Sequence, residues 1–195
     1  MTKLTALKQD IEQFGISFRQ GEWESLVQRL SVLSVSRGEI IEKQVHVARQ
    51  WFFIDDGIAA SEQTWTHGGT TIVRFFERGD FCANMTSVWT QDIAADELFA
   101  ITDVSCIVVP NEVFTDAYLN GGSFGLYLRH KVMAAHLYAK ELTSAKTAGD
   151  TETRYQFLES LHPEVVARAP QKEVARFLGL TPQSLSRFLR RRKLG

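Results

Sequence analysis

The final stretch, Pro170 to Lys193, constrains this chain more than any other. Val174, Phe177 and Leu178 recur at helical spacing, with small Ala175 beside them. Pro170 suits a first helical position, where its missing N–H costs nothing. Gly179 ends that helix, because glycine enters the left-handed conformation cheaply. Thr181 is a good N-cap and Pro182 a good first residue, so a second helix starts at once. Its apolar stripe is Leu185, Phe188 and Leu189, while Gln183, Ser184, Arg187, Arg190 and Arg191 fall on the other side.

Two helices joined this tightly suit a DNA-binding helix-turn-helix. Ala175 lets the helices cross closely, Leu185 fills the angle between them, and the second helix presents its N-terminal end to base edges in a major groove. Arg187 can pair with guanine and Gln183 with adenine, while Thr181 and Ser184 can reach phosphates or bases. Charge distribution points the same way. Net charge is only −1, yet Pro170–Gly195 holds seven basic residues and one acid, leaving the rest of the chain at −7. A basic tip on an acidic body is the expected footprint of a small DNA-reading module.

At 195 residues, with ample apolar content, the chain can form one large domain or two small ones. Cys82 and Cys106 stand far apart with no histidine at ligand spacing, so neither a disulfide framework nor a metal ribbon is expected. No charged-then-apolar leader and no long apolar run is present, so a cytoplasmic protein with no membrane partner is expected.

Leu4, Leu7, Ile11 and Phe14 mark an N-terminal amphipathic helix, and Trp23, Leu26, Val27 and Leu30 a second one. From Val32 to Val109 the period falls to two. The expected strands are Val32–Ser36, Glu39–Lys43, Trp51–Ile54, Ile58–Trp65, Thr70–Phe76, Leu98–Thr102 and Cys106–Val109, with turns at Arg37-Gly38, Asp55-Asp56-Gly57, His67-Gly68-Gly69 and Arg78-Gly79-Asp80. That spacing predicts a small antiparallel barrel or jelly roll, closed by a short helix over Pro110–Leu119. Ser123 can cap a long helix reaching about Lys146. Its seam of Phe124, Leu128, Val132, Ala135, Ala139 and Leu142 suits self-association, with packing on the chain's own barrel as the alternative. Ala148-Gly149-Asp150 is the best hinge, followed by helices from Thr151 and from His162-Pro163.

In this order the chain resembles the cyclic-AMP-receptor/fumarate-nitrate-reduction (CRP/FNR) family of bacterial transcription regulators. The resemblance is most specific at Phe52-Phe53-Ile54-Asp55-Asp56-Gly57-Ile58, Gly79-Asp80-Phe81, Ala100-Ile101-Thr102-Asp103, and Gln171 to Arg187. It implies an α+β fold: an N-terminal antiparallel β-roll of the cyclic-nucleotide-binding type over 1–120, a long dimerisation helix over 121–148, and a helix-turn-helix domain over 149–195. It also implies a homodimer on two-fold symmetric double-stranded DNA, with RNA polymerase as a further partner. By family position Gln171 and Lys172 lie near phosphate, while Gln183, Ser184 and Arg187 face bases.

Two departures stand out. Members that bind a cyclic nucleotide carry Phe-Gly-Glu and a later Arg-Ser or Arg-Thr. Here those positions hold Phe81-Cys82-Ala83 and Ala94-Ala95. A buried phosphate without its cation is costly, so neither cyclic AMP nor cyclic GMP is expected as a ligand. Two cysteines also fall short of an iron–sulfur site. The second departure is that the sequence ends at Gly195, so the β-hairpin wing is expected to be truncated or absent, with Arg190, Arg191 and Arg192 as replacements for its backbone contacts. Phe81, Met85, Trp89, Tyr127, Arg129 and His130 surround the former nucleotide pocket and could line an apolar site for a small hydrophobic effector, or could simply fill the barrel.

No nucleophile elbow and no phosphate loop are visible, so an enzyme is not expected, and neither is a cofactor. A cupin-like metal enzyme would need clustered histidines, but His46 and His67 stand alone and His130, His136 and His162 fall on helices. The remaining alternative is an interaction module whose terminal helices bind a protein.

Overall fold

The computed structural model describes residues 4–65, 68–147 and 149–194. Two helices lead, α1 (Thr5–Gln13) and α2 (Glu22–Val27). Five strands follow: β1 (Ser31–Val35), β2 (Ile40–Glu42), β3 (Gln50–Asp56), β4 (Ala59–Thr64) and β5 (Thr70–Phe76). Then come a short strand β6 (Phe81–Cys82), helix α3 (Met85–Thr90), β7 (Asp96–Ala100) and β8 (Val104–Pro110). The rest is helical: α4 (Asn111–Asn120), α5 (Gly122–Thr147), α6 (Thr151–Leu161), α7 (Pro163–Arg168), α8 (Gln171–Leu178) and α9 (Pro182–Leu194). The strands form two four-stranded antiparallel sheets, β1-β8-β3-β6 and β2-β7-β4-β5, packed as a sandwich.

The alternation in β3 sends its side chains to two different cores. Phe52 and Ile54 meet Leu98, Cys82 and Cys106 between the sheets. Trp51 and Phe53 point outward, where α1, α4 and α5 cover them with Leu7, Ile11, Phe114 and Leu128. Trp51 stacks on Phe114 at 3.7 Å between ring centroids, and its indole N–H donates to Asn111 at 2.8 Å. The outer face of the second sheet is apolar too. Ile58, Ala60, Ile72 and Phe75 share a core with Tyr155, Leu158, Val174, Phe177 and Leu185 of the C-terminal helices.

Most expected elements appear at the expected places. The sequence reading missed β6 and α3, which carry too few apolar residues to show a period. Three local expectations change. Pro170 sits just before α8 rather than within it. The N-terminus of α5 is capped by Glu22 of α2, whose carboxylate accepts the Ser123 N–H at 2.7 Å and the Ser123 hydroxyl at 2.8 Å. Finally, most of the α5 seam faces inward: Phe124, Leu128 and Leu142 are buried in the chain's own cores, with Val132 packed beside them, while Ala139 is exposed. Ala148, His67 and Gly195 lie outside the described residues. Asp150, the last residue of the expected hinge, caps α6 by accepting the Thr153 N–H at 2.7 Å, and that bond holds its carboxyl below the usual range.

The crossing of α4 and α5 depends on Gly125, where an added Cβ would stand 2.0 Å from the Ala117 carbonyl oxygen. Gly125→Ala is therefore expected to destabilise the fold by about 1–3 kcal/mol despite alanine's better helix propensity. Urea unfolding checks this.

Candidate nucleic-acid interface and adjoining cavity

Helices α8 and α9 meet at a turn built as their residue types dictate. Gly179 adopts φ +68°, a left-handed conformation, and closes α8. The Leu180 N–H then bonds back to the Ala175 carbonyl at 2.8 Å. Thr181 caps α9, its hydroxyl oxygen accepting the Ser184 N–H at 3.1 Å. Ala175 and Leu185 are both fully buried in the angle between the helices. Phe188 meets Tyr155 of α6 edge-on at 5.4 Å, which fixes the roll of α9.

That roll decides which side chains reach solvent. Gln171, Lys172, Thr181, Gln183, Arg187, Arg190 and Arg191 are exposed, and Ser184 is half-buried. Arg187 leans on the Ser184 hydroxyl at 3.4 Å. The basic residues are not equivalent. Arg176 lies against the sandwich, donating to Glu62, Glu173 and Thr70. Arg192 donates to Glu152 at 3.1 Å and to Glu159 at 3.0 and 2.8 Å, and stacks over Tyr155. These bonds raise its own pKa and hold the Glu159 carboxyl below the usual range. Arg192, expected with Arg190 and Arg191 to replace the wing's backbone contacts, is a strut between α6 and α9. Lys172 stands 3.3 Å from Glu173. Among the described residues, Arg187, Arg190 and Arg191 have no acidic partner.

The C-terminal helices are tied to the sandwich at two polar points besides the shared core. Arg176 is one. The other is His162, which is buried. Its Nδ1 faces the Glu77 carboxylate at 2.8 Å and its Nε2 the Tyr138 hydroxyl at 2.9 Å. Glu77 also accepts the Val165 N–H of α7 at 3.0 Å. Sequence reading gave no signal for these contacts, because their partners lie 24 to 114 residues apart.

Beside His162 a cavity of about 680 Å³ opens between the sandwich and α5. Its walls include Trp51, Phe76, Phe81, Met85 and Phe114, with Arg74, Lys131 and Tyr138 among the polar groups. Of the residues expected around the pocket, Phe81 and Met85 line it. Tyr127 is buried beside it and donates to Asp10, and burial pushes its hydroxyl pKa up. Trp89 packs edge-on against Trp51, Phe114 and Tyr118. Arg129 bonds the Tyr118 carbonyl at 2.9 Å, and His130 packs on Phe14. These last four do not line the cavity. Ala83 and Ala95 do, where the cyclic-nucleotide binders carry polar anchors.

Comparison with known proteins agrees with this architecture. Residues 32–120 match the cyclic nucleotide-binding domain family. Many solved structures share the fold, among them the following three. A protein from Eubacterium rectale described as a CRP/FNR-family transcriptional regulator has a TM-score of 0.67 at 13% identity, covering 91% of this chain and 84% of its own. The c-di-GMP responsive global regulator CLP of Xanthomonas campestris gives 0.67 at 15%, covering 90% and 92%. FixK2 of Bradyrhizobium japonicum gives 0.66 at 17%, covering 83% of each chain. No curated protein sequence matches significantly. Among the described residues no helix is long and apolar enough to cross a membrane.

The two polar ties predict a specific loosening. Arg176→Met keeps the apolar contact and removes the charge that Glu62 and the buried Glu173 share. It is expected to speed amide exchange across α8 and α9 roughly tenfold, the size of one lost charged hydrogen bond, while β3 and β8 stay protected. Hydrogen-exchange mass spectrometry reads both regions at once.

Proposed function

We propose that this CRP/FNR-like chain is a sequence-specific DNA-binding transcription regulator, organised as a sensor-like β-roll (1–120), a dimerisation helix (121–148) and a helix-turn-helix domain (149–195). The observation that carries this reading is the division of labour on α9. Leu185 is buried against Ala175, Arg192 is spent on Glu152 and Glu159, and the face left over holds Gln183, Ser184, Arg187, Arg190 and Arg191. That face combines base-reading side chains near the helix start with phosphate-binding cations further along. Gln171 and Lys172, exposed at the start of α8, add backbone contacts with Thr181. A protein partner for this face, the interaction-module alternative, leaves the cluster of unpaired arginines unexplained.

Pairing of two chains fits a different face of α5 from the buried seam. Leu126, Met133 and Leu137 are exposed and fall on one stripe with His130. A homodimer along that stripe would carry two copies of α9 to the two halves of a symmetric site. RNA polymerase is the partner through which such a complex would act on transcription, and the cytoplasm the compartment in which it would do so. The effector is not cyclic AMP or cyclic GMP in this reading, since Ala83, Ala94 and Ala95 replace the anchors for ribose and phosphate. That a c-di-GMP responsive regulator shares the fold supports a change of effector on this scaffold.

Gel-shift titrations in rising salt test the function. A complex that prefers one sequence and weakens steeply with salt is expected, and absence of any DNA complex would overturn the reading. Arg187→Ala should cost about 1–3 kcal/mol on the preferred site and relax one base position per half-site, whereas Arg191→Ala should weaken all sequences alike and lower the salt slope by about one. Leu137→Glu should convert the dimer to a monomer in sedimentation equilibrium while circular dichroism shows the chain still folded, because that side chain is exposed and belongs to none of the cores.

A further inference from the structure

We propose that the cavity between the sandwich and α5 binds a small organic anion, a carboxylate or phosphate monoester with an apolar body, and that Arg74 of β5 is the group that receives it. The cavity's volume of about 680 Å³ fits a small molecule, and aromatic side chains form much of its wall. Its charged groups are mostly spoken for. Lys131 pairs with Asp10 at 2.8 Å. Glu77 is held by His162 and the Val165 N–H. Asp96 accepts from Ser61 at 2.8 Å, and Asn84 donates to Glu42 at 2.7 Å.

Arg78, also in the wall, is exposed; the mostly buried exception is Arg74. Its guanidinium lies over the rings of Phe76, at 4.8 Å, and Tyr138, at 4.5 Å. Asp80 forms only a long ion pair with it, Oδ1 at 4.0 Å, too far for a hydrogen bond, while its Oδ2 accepts the Glu77 N–H. Its Nε is buried with no hydrogen-bond partner among the described residues. A mostly buried cation that faces a cavity with an unfilled donor is costly as it stands, and an incoming anion removes that cost. Two flanking rings hold the fork flat and preorganised for two parallel N–H···O bonds. The cation thus sits on strand β5 rather than at positions 83, 94 or 95. Tyr138 links the two halves of the molecule, since it shares Arg74 on one side and His162 on the other. An anion on Arg74 would sit one side chain from the anchor of the C-terminal helices.

The regulatory consequence rests on the DNA-binding reading, but the binding itself is measured without DNA, so the two can fail separately. Calorimetry on the full chain, with benzoate, phenyl phosphate and the neutral benzamide as probes at millimolar concentration, is the test. Either anion is expected to bind, with benzamide at least about tenfold weaker, the worth of one charge-assisted pair. Whether benzoate or phenyl phosphate binds more tightly tells carboxylate from phosphate. Arg74→Met, which keeps contact with both rings, should abolish anion binding yet melt no lower than the parent chain without ligand. The proposal is overturned if neither anion binds the parent chain, if benzamide binds as tightly as benzoate, or if Arg74→Met binds the anions unchanged. Melting of Arg74→Met well below the parent would also overturn it, because Arg74 would then be a structural cation already at home between its rings.

Discussion

Everything in this molecule follows from sheets that are apolar on both faces. A sandwich needs only its inner faces covered, and an antiparallel strand then alternates between core and solvent. Here β3 buries Trp51 and Phe53 outward as firmly as Phe52 and Ile54 inward, and β5 buries Ile72 and Phe75 beneath the C-terminal helices. Leaving either outer face bare would expose large aromatic side chains to water at a cost of about 1.5–3 kcal/mol each. Helices must therefore flank the sandwich on both sides. The N-terminal helices and the start of α5 cover one face; the helices that bear Gln183 and Arg187 cover the other.

That arrangement explains which parts were legible in the sequence. Local chemistry was. Gly179, Thr181 and Leu185 fix their turn within a few residues, and the observed turn has the expected cap, left-handed glycine and buried leucine. The period-two runs gave the strands, because alternation survives even when both faces are apolar. Partner choice was not legible. The α5 seam reads as a dimer contact with a core contact as the alternative, since Phe124 and Leu128 look alike in either setting. Only the covered outer face of the first sheet decides it, and that face is assembled from residues more than a hundred positions apart. The same holds for Arg176 and Arg192. In sequence they belong to a basic cluster; in the fold each is consumed by acids from another element.

Removing those two arginines from the basic cluster sharpens the proposed interface rather than weakening it. Arg192 draws α6 against the C-terminal half of α9, and Arg176 draws α8 against β4 and β5. The cations that remain lie along one face of one helix. A loose basic tail would bind any polyanion, whereas a rigid face with Gln183 and Arg187 at its leading end can discriminate bases. The cavity beside His162 ends on the same supports, through Tyr138 and Glu77, so whatever fills it adjoins the joint between sandwich and C-terminal helices.

The central claim is that a pair of α9 helices enters a duplex at two symmetric places. Footprinting of the full chain on its preferred DNA tests this most directly. Two equivalent protected patches are predicted, on one side of the duplex, with centres about one helical turn (10–10.5 base pairs) apart or a multiple of it, and with guanine N7 shielded in each. A single protected patch, uniform protection without sequence preference, or guanines left open in the major groove would contradict it.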